Sequence, residues 1–587
     1  LAMKFEPTIT TCPLDCFDGC SIVVDENGKL KGNKAHPITQ GYLCHHLNHY
    51  HTWKRITAPR FEGKEISMDE ALKLLVKQLQ TYMPSRTLLF RGSGNLGVMQ
   101  GVTKLFFAKH DATLASGSLC DGAGTEGILQ GRGANLALSP LRVKHAEVVI
   151  LWGRNPSITN SHMLPSLRGK TLIVIDPVQT DLAQKANLHI HIKPAGDIYL
   201  AMLLCRMLHM EQAEDSSFIQ NRCENYESFL SLIYGTPMRI LAEKAGVSLD
   251  DAGLLLSFVK AKKVSILVGI GVQKYSFGHS VLRAIDAFGA MLGLFGKEGC
   301  GVGYLSSSNF GFKAPFKVNA KTEPLATCNF SKYDLVFIQG GNPLAQMPST
   351  PTVRANLEKA SCVVYFGLHE NETSQKAHLI IPALSFLEKD DLKLSYGHEF
   401  IGKMPKCVEN AYGISEYGLT QYLLGAFGYA LLEDEQTILE SVIASNSIEK
   451  EGFLIAKTYE EIPYKTGFYT PSKKFIFLDE FEDTLDDEGA FFLIAAKHNQ
   501  GLNSQFIRDD YLYVPLSLGL SQDERVLLSS SYGSCEYPVM PSARLREDCL
   551  LLHSGAHNAN GLTPPKVSQE GECATYQELK VTLKRLS

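Results

Sequence analysis

Six times along this chain a short, unbroken apolar run ends in a loop of glycine, asparagine, aspartate or proline, and apolar positions at helical spacing follow. Thr87–Phe90 leads to Arg91-Gly-Ser-Gly-Asn95, and Val148–Trp152 to Gly153-Arg-Asn-Pro156. Leu172–Ile175 leads to Asp176-Pro177, and Val264–Val268 to Gly269-Ile-Gly-Val-Gln273. Leu335–Gln339 leads to Gly340-Gly-Asn-Pro343, and Val363–Phe366 to Gly367-Leu-His-Glu370. Runs without alternation suit strands buried on both faces, so the six units predict α/β architecture, parallel sheets covered by helices. In such sheets ligands sit beyond the carboxyl ends of the strands, where these loops are. Glycine lets backbone approach a ligand, and loop amides can donate to phosphate. None of the loops is a clean Gly-x-Gly-x-x-Gly or Walker sequence. Each alone reads as an ordinary strand–helix turn; the repetition carries the information.

Other stretches punctuate this theme. Ser67-Met-Asp-Glu70 is a capping box opening an amphipathic helix from Asp69 to about Tyr82. Ala287–Phe295 and Leu423–Leu432 are the most apolar pieces, short enough to be core helices. From about Asp483 the pattern changes to short strands among turns: Phe491–Ala495, Tyr511–Leu516, Val526–Ser531 and Leu550–His553. They predict a separate β-rich C-terminal domain.

Composition narrows the class. With 587 residues the chain exceeds a single core, so three to five domains or subdomains are expected. A net charge of −5 argues against nucleic acid or anionic membrane as the main partner. No apolar run reaches the roughly 18 residues of a membrane span. Fourteen cysteines in so long a chain do not make a disulfide scaffold. Met3 reads as the natural start, and no signal peptide or twin arginine precedes Cys12. The expected compartment is the cytoplasm, or the periplasm if a signal peptide was removed.

Four of the cysteines are grouped. Cys12-Pro-Leu-Asp-Cys16-Phe-Asp-Gly-Cys20 places three on one tight loop, and Cys44 follows a hairpin formed by Ser21–Asp25, a turn at Glu26–Lys29, and Leu30. Converging soft thiolates select zinc or an iron–sulfur cluster. Zinc sites usually show two close pairs, whereas three near ligands and one remote suit a [4Fe-4S] cluster. Zinc, a disulfide or inert thiols stay open as alternatives.

Several motifs in this order resemble one family: the catalytic subunits of molybdenum or tungsten bis(pyranopterin guanine dinucleotide) oxidoreductases, the dimethyl sulfoxide reductase and formate dehydrogenase superfamily. They are the Cys12/Cys16/Cys20/Cys44 set, Gly92–Gln100, Leu119–Gly124, Leu151–Pro156, Ile175–Pro177 with Thr180, Pro194–Asp197, Gly340–Pro343, His369–Thr373 with Pro382 and Glu388, and Asn560–Thr563. The resemblance implies an N-terminal iron–sulfur subdomain at 1–58 and two Rossmann-like α/β domains. One is built from 59–105 plus 325–482 and the other from 106–324, each binding one pterin dinucleotide. A C-terminal β-barrel at 483–587 would close over the cofactor.

By the same resemblance, Gly94 and Asn95 belong to the cofactor-binding set. One dinucleotide would lie along Trp152, Gly153, Asn155, Asp176, Thr180 and Asp197, and the other along Gly340, Gly341, Asn342, His369 and Thr373. Lys497, His498 and Asn560 would close over both. A carboxylate such as Asp176 or Asp197 suits guanine N–H groups or ribose hydroxyls, though either also reads as a turn-forming residue. Cys120 fills the metal-ligand position, with a buried inert thiol, Asp121 as ligand, or no protein ligand as alternatives. Asp121 and Glu126 are candidates for proton handling, against a salt-bridge or capping role.

Two departures from the family pattern stand out. Formate dehydrogenases usually carry histidine directly after the ligand, and this chain has Asp121. Many relatives carry lysine near the fourth cluster cysteine, and here Cys44 is followed by His45-His46. The expected activity is two-electron chemistry on a small-molecule substrate, with the cluster relaying electrons to an external iron–sulfur or ferredoxin partner. The alternatives are a non-catalytic iron–sulfur subunit like that of respiratory complex I, a formate dehydrogenase catalytic subunit, or a hydratase of the acetylene hydratase kind, with which Asp15 is compatible.

Overall fold

A computed structural model describes residues 5–586 apart from 94–95, 307–311, 410–411 and 486–488. The six strand–loop–helix units divide equally between two sheets. The first sheet has five parallel strands in the order Leu188–Ile190, Thr171–Ile175, Val148–Trp152, Val264–Val268, Gly301–Tyr304. The second has eight strands. Thr322–Pro324, Thr113–Ser116, Thr87–Arg91, Leu335–Gln339, Cys362–Gly367 and Leu379–Pro382 run parallel, and Arg60–Phe61 and Lys64–Glu65 add an antiparallel edge. Thr113–Ser116 and Thr322–Pro324 thus join the eight-stranded sheet. Val148–Trp152 and Leu335–Gln339 are buried at every residue, which is why their sequences are apolar without alternation.

The predicted capping box is present. Ser67 accepts from the Glu70 amide and Glu70 answers to the Ser67 amide, opening a helix over Met68–Thr81. Its buried stripe, Ala71, Leu72, Leu75 and Leu79, packs against the eight-stranded sheet. Ala287–Met291 does end a buried helix, Gly278–Met291. Leu423–Leu432 is not one helix: Glu416–Ala426 stops there, Gly428 turns with φ +69°, and Leu431 is exposed.

The N-terminal segment is a three-stranded antiparallel sheet, Thr8–Thr11, Ser21–Val24, Leu30–Gly32, with the expected hairpin at its far side. Asp25 closes that turn by accepting from the Asn27 and Lys29 amides. A four-stranded antiparallel sheet, ordered Asp391–Leu394, Phe400–Met404, Phe453–Ala456, Ser447–Lys450, packs beside it. At the C-terminus six strands close a barrel: Phe491–Ala496, Cys549–His553, Leu512–Pro515, Gly533–Ser542, Arg525–Ser530 and Lys580–Arg585. Gly533–Ser542 and Lys580–Arg585 escaped the sequence reading because few of their residues are buried and their polarity masks the strand. No described helix is long and apolar enough to cross a membrane.

Candidate active site

The carboxyl ends of both parallel sheets and one side of the barrel enclose a cavity of about 990 Å³. All six loops reach it, through Gly92, Gly153, Asp176, Ile270, Gly340 and Leu368. The loops Gly153-Arg-Asn-Pro156 and Gly340-Gly-Asn-Pro343 occupy equivalent places, one on each sheet. Gly153 and Gly340 both have φ +57°, which any side chain would strain. Asn155 and Asn342 each precede a short helix begun by proline.

On the five-stranded side Gly153, Asn155, Asp176, Thr180 and Asp197 line the cavity. Trp152 does not; it is fully buried and its indole N–H donates to Asp197 Oδ1 at 2.7 Å. Asp176 Oδ1 accepts from the Val178 amide at 2.8 Å, and Thr180 Oγ1 from the Ala183 amide at 3.1 Å. Burial pushes the Asp176 carboxyl up to about 7 and Asp197 up to about 6, because few donors compensate either. Asn155 Oδ1 is buried with no hydrogen-bond partner among the described residues.

On the eight-stranded side Gly340, Gly341, Asn342 and His369 line the cavity. Thr373 stands behind them, fully buried, and its hydroxyl donates to Asn342 Oδ1 at 2.9 Å. Asn342 Nδ2 donates to Glu372 Oε2 at 2.7 Å and Ser504 Oγ at 3.1 Å. His369 Nδ1 donates to the Lys54 carbonyl, and Trp53 stacks on its ring with centroids 3.6 Å apart. From the barrel come Lys497, His498 and Asn560. Asn560 Nδ2 donates to the Ala345 and Gln346 carbonyls, fastening the barrel to the loop after Gly340. Gly94 and Asn95 lie outside the described residues.

Cys120 faces the cavity, on a turn where Ser118 Oγ accepts from the Cys120 and Asp121 amides. The thiol is open to the cavity yet deep in the molecule, and this burial pushes it up to about 11, with Lys274 opposing. Lys274 Nζ donates to the Leu119 carbonyl and to Cys573 Sγ, and Gln273 Nε2 donates to the Cys120 carbonyl at 3.0 Å. Asp121 points elsewhere: its carboxylate takes hydroxyls from Thr125, Tyr304 and Ser306 and steadies the start of the helix Ala123–Arg132. Neither Asp121 nor Glu126 lines the cavity.

The loop Cys12–Cys20 exposes Pro13, Leu14 and Asp15 to the cavity, while its cysteines do not line it. Cys12 and Cys20 are buried, Cys16 and Cys44 half-buried, and all four are free thiols. Burial raises the pKa of each, Cys12 to about 11. The thiols of Cys12, Cys16 and Cys20 are raised further by charge on their companions, Cys44 among them, so the set acts on itself electrostatically. Four mutually opposed thiols, two buried and two half-buried, without a disulfide make a donor set that fits a metal, whose charge would deprotonate them. Lys393 Nζ donates to the Leu14 carbonyl and Ser395 Oγ to the Phe17 carbonyl, pinning this loop. Asp18, Cys20 and His162 form a second group with ligand atoms within 4.8 Å of one another, but His162 Nδ1 already bonds Asp18 Oδ2 at 2.7 Å.

Sequence reasoning missed Trp53, Glu372, Arg508, Lys274 and Arg154. Arg154 and Glu372 lie inside the motifs Leu151–Pro156 and His369–Thr373, but the contacts that single out all five are made with residues distant in the chain. The family model "Molybdopterin oxidoreductase" matches residues 60–410. The probable oxidoreductase YyaE of Bacillus subtilis (strain 168) is 25% identical over 559 residues, covering 87% of this chain and 83% of that protein. The F420-dependent formate dehydrogenase subunit alpha of Methanocaldococcus jannaschii is 24% identical, covering 66% of this chain and 65% of that one. The solved structure of acetylene hydratase from Pelobacter acetylenicus superposes with a TM-score of 0.80 at 16% identity, covering 99% and 100% of the two chains, a likeness of fold. With more than half its length matched by the family model, this chain belongs to the molybdopterin oxidoreductase family and is an oxidoreductase.

Proposed function

We propose that the chain is the catalytic subunit of a molybdenum- or tungsten-dependent oxidoreductase, binding a bis(pyranopterin guanine dinucleotide) cofactor and a [4Fe-4S] cluster. The observation that carries this is the pair of equivalent loops, Gly153–Pro156 and Gly340–Pro343, opening on one cavity from opposite sheets. Two equivalent cradles in one cavity suit two equivalent dinucleotides. Cys120 stands on the wall of the same cavity, and the four-thiol loop forms another part of that wall.

Bound there, the cofactor would supply a metal able to exchange two electrons with a small substrate. The chain's own part is to bind, orient and exclude water. Asp176 and Asp197 would accept N–H or hydroxyl donors of one dinucleotide, and Asn342, held by Thr373 and Glu372, would present its loop to the other. Asn155 Oδ1, buried and without a partner among the described residues, offers a further acceptor. Cys120 would ligate the metal, with Gln273 and Lys274 fixing its loop. Cys12, Cys16, Cys20 and Cys44 would hold the cluster, passing electrons singly to a separate protein; the formate dehydrogenase relative is named as one subunit of a larger enzyme. The carboxylate after Cys120 is turned from the cavity, so that position gives no group to a formate-sized substrate. A hydration reaction on the same cofactor is favoured by one observation: Asp15 lines the cavity, with Tyr396 donating to it at 2.7 Å.

Protein purified without oxygen is expected to carry about four irons and one molybdenum or tungsten per chain. Zinc alone would end the proposal. C120S is expected to abolish turnover of an artificial electron donor while iron stays bound; unchanged turnover with metal retained removes Cys120 as ligand. Hydration without net electron transfer in the intact protein would decide for the second reaction.

A further inference from the structure

Arg154 is the second residue of the Gly153–Pro156 loop. Its side chain is 2% exposed, and Nε and Nη2 have no hydrogen-bond partner among the described residues. The guanidinium carbon lies 4.6 Å from the centre of the Phe17 ring, and Phe17 stands between Cys16 and Cys20. The acidic group that acts on it is Asp18, whose carboxylate is already engaged by His162 Nδ1 at 2.7 Å. Arg154 also lines the large cavity. A group charged at every physiological pH is therefore held dry, with idle donors, where the thiol-bearing loop meets the cavity wall. Burying a cation this way is strongly unfavourable unless a counter-charge is near. Arg132, equally buried, shows the usual solution: Asp286 lies 2.8 Å from its Nε. Among the described residues Arg154 has no such dedicated partner.

We propose that Arg154 is the buried counter-cation of the metal cluster held by Cys12, Cys16, Cys20 and Cys44, placed between that cluster and the cavity. The inference rests on the reading of those four thiols as a cluster site. Four thiolates around an iron–sulfur core carry net negative charge, and one more on reduction. A fixed positive charge beyond the Phe17 ring offsets it without touching a ligand. It stabilises the reduced cluster more than the oxidised one and so raises the midpoint potential. Lying on the cavity wall, the same charge sits between the cluster and whatever exchanges electrons with it.

The test uses the full chain purified without oxygen, as wild type, R154M and R154K. Iron content and the midpoint potential of the cluster, from an electron-paramagnetic-resonance redox titration, are the readouts. The expected result is unchanged iron, a lower midpoint in R154M, and recovery of most of that shift in R154K, which keeps the charge and loses the planar fork. An R154M midpoint equal to wild type, with iron retained, overturns the inference. Thermal unfolding of chain stripped of iron gives the second arm. Removal of an unpaired buried cation is expected to leave R154M at least as stable as wild type, whereas a purely structural arginine would leave it less stable and overturn the proposal. Zinc in place of iron in the wild type would defeat the cluster reading itself, and this inference with it.

Discussion

Asp176 and Asp197 are two carboxylates on the wall of one cavity, short of donors. Burial raises Asp176 most, the Val178 amide opposes it, and the charge of Asp197 adds to it. In the cofactor-free chain both carboxyls hold their proton in the folded state to higher pH than when unfolded, where the ordinary value is 3.8. Stability is then full below about 4 and declines as pH rises through about 6 to about 7. The loss at Asp176 is on the order of 2–4 kcal/mol. D176N is expected to flatten the fall of melting temperature between pH 4 and pH 7; parallel curves for the two proteins would refute this account of Asp176. Both aspartates were legible in the sequence because each closes an apolar run or opens a helix. Lys274 was not, since its role comes from carbonyl and thiol partners at Leu119 and Cys573.

At the scale of elements, the helix that follows Cys120 is positioned by contact rather than by its own sequence preferences. Ala123–Arg132 contains three glycines, Gly124, Gly127 and Gly131, poor helix formers. It crosses Gly278–Met291 so closely that a Cβ on Gly127 would lie 2.2 Å from the His279 carbonyl oxygen. The Arg132–Asp286 pair, fully buried, joins the same two helices. G127A must separate them and shift the turn that carries Cys120. The expected cost is about 1–3 kcal/mol of stability in denaturant unfolding, with weaker cofactor retention. Unchanged stability and retention would mean that the crossing tolerates a side chain. The strands of both sheets were readable because continuous burial imposes continuous apolarity. The barrel strand Gly533–Ser542 was not, because few of its residues are buried and its polarity masks the strand.

At the scale of the whole molecule, the barrel is fastened to the eight-stranded sheet over the cavity by the Asn560 contacts and by an ion pair. Arg508 Nη1 lies 2.5 Å from Glu372 Oε1, and the same carboxylate accepts from Asn342. Burial alone would raise Glu372, but Arg508 and the Asn342 amide outweigh it and hold the carboxyl near 2, against an ordinary 4.5. That contribution, on the order of 3 kcal/mol, is complete above about 4.5 and is lost as pH falls towards 2. E372Q is expected to lower the melting temperature at pH 7 and to remove part of the acid-induced fall; a wild-type acid profile in E372Q would show that the latch carries no such energy. The amino-acid sequence by itself determined the repeated strands, the four grouped thiols and the family, because apolar runs, turn residues and ligand spacing are local properties of the chain. Only the tertiary structure decided that six loops share one cavity, that Asp121 turns away from it, and that Arg154 lies buried behind Phe17 without a hydrogen-bond partner at Nε or Nη2 among the described residues. Those facts follow from how two sheets and a barrel pack together, and the energy of that packing resides in contacts between residues hundreds of positions apart.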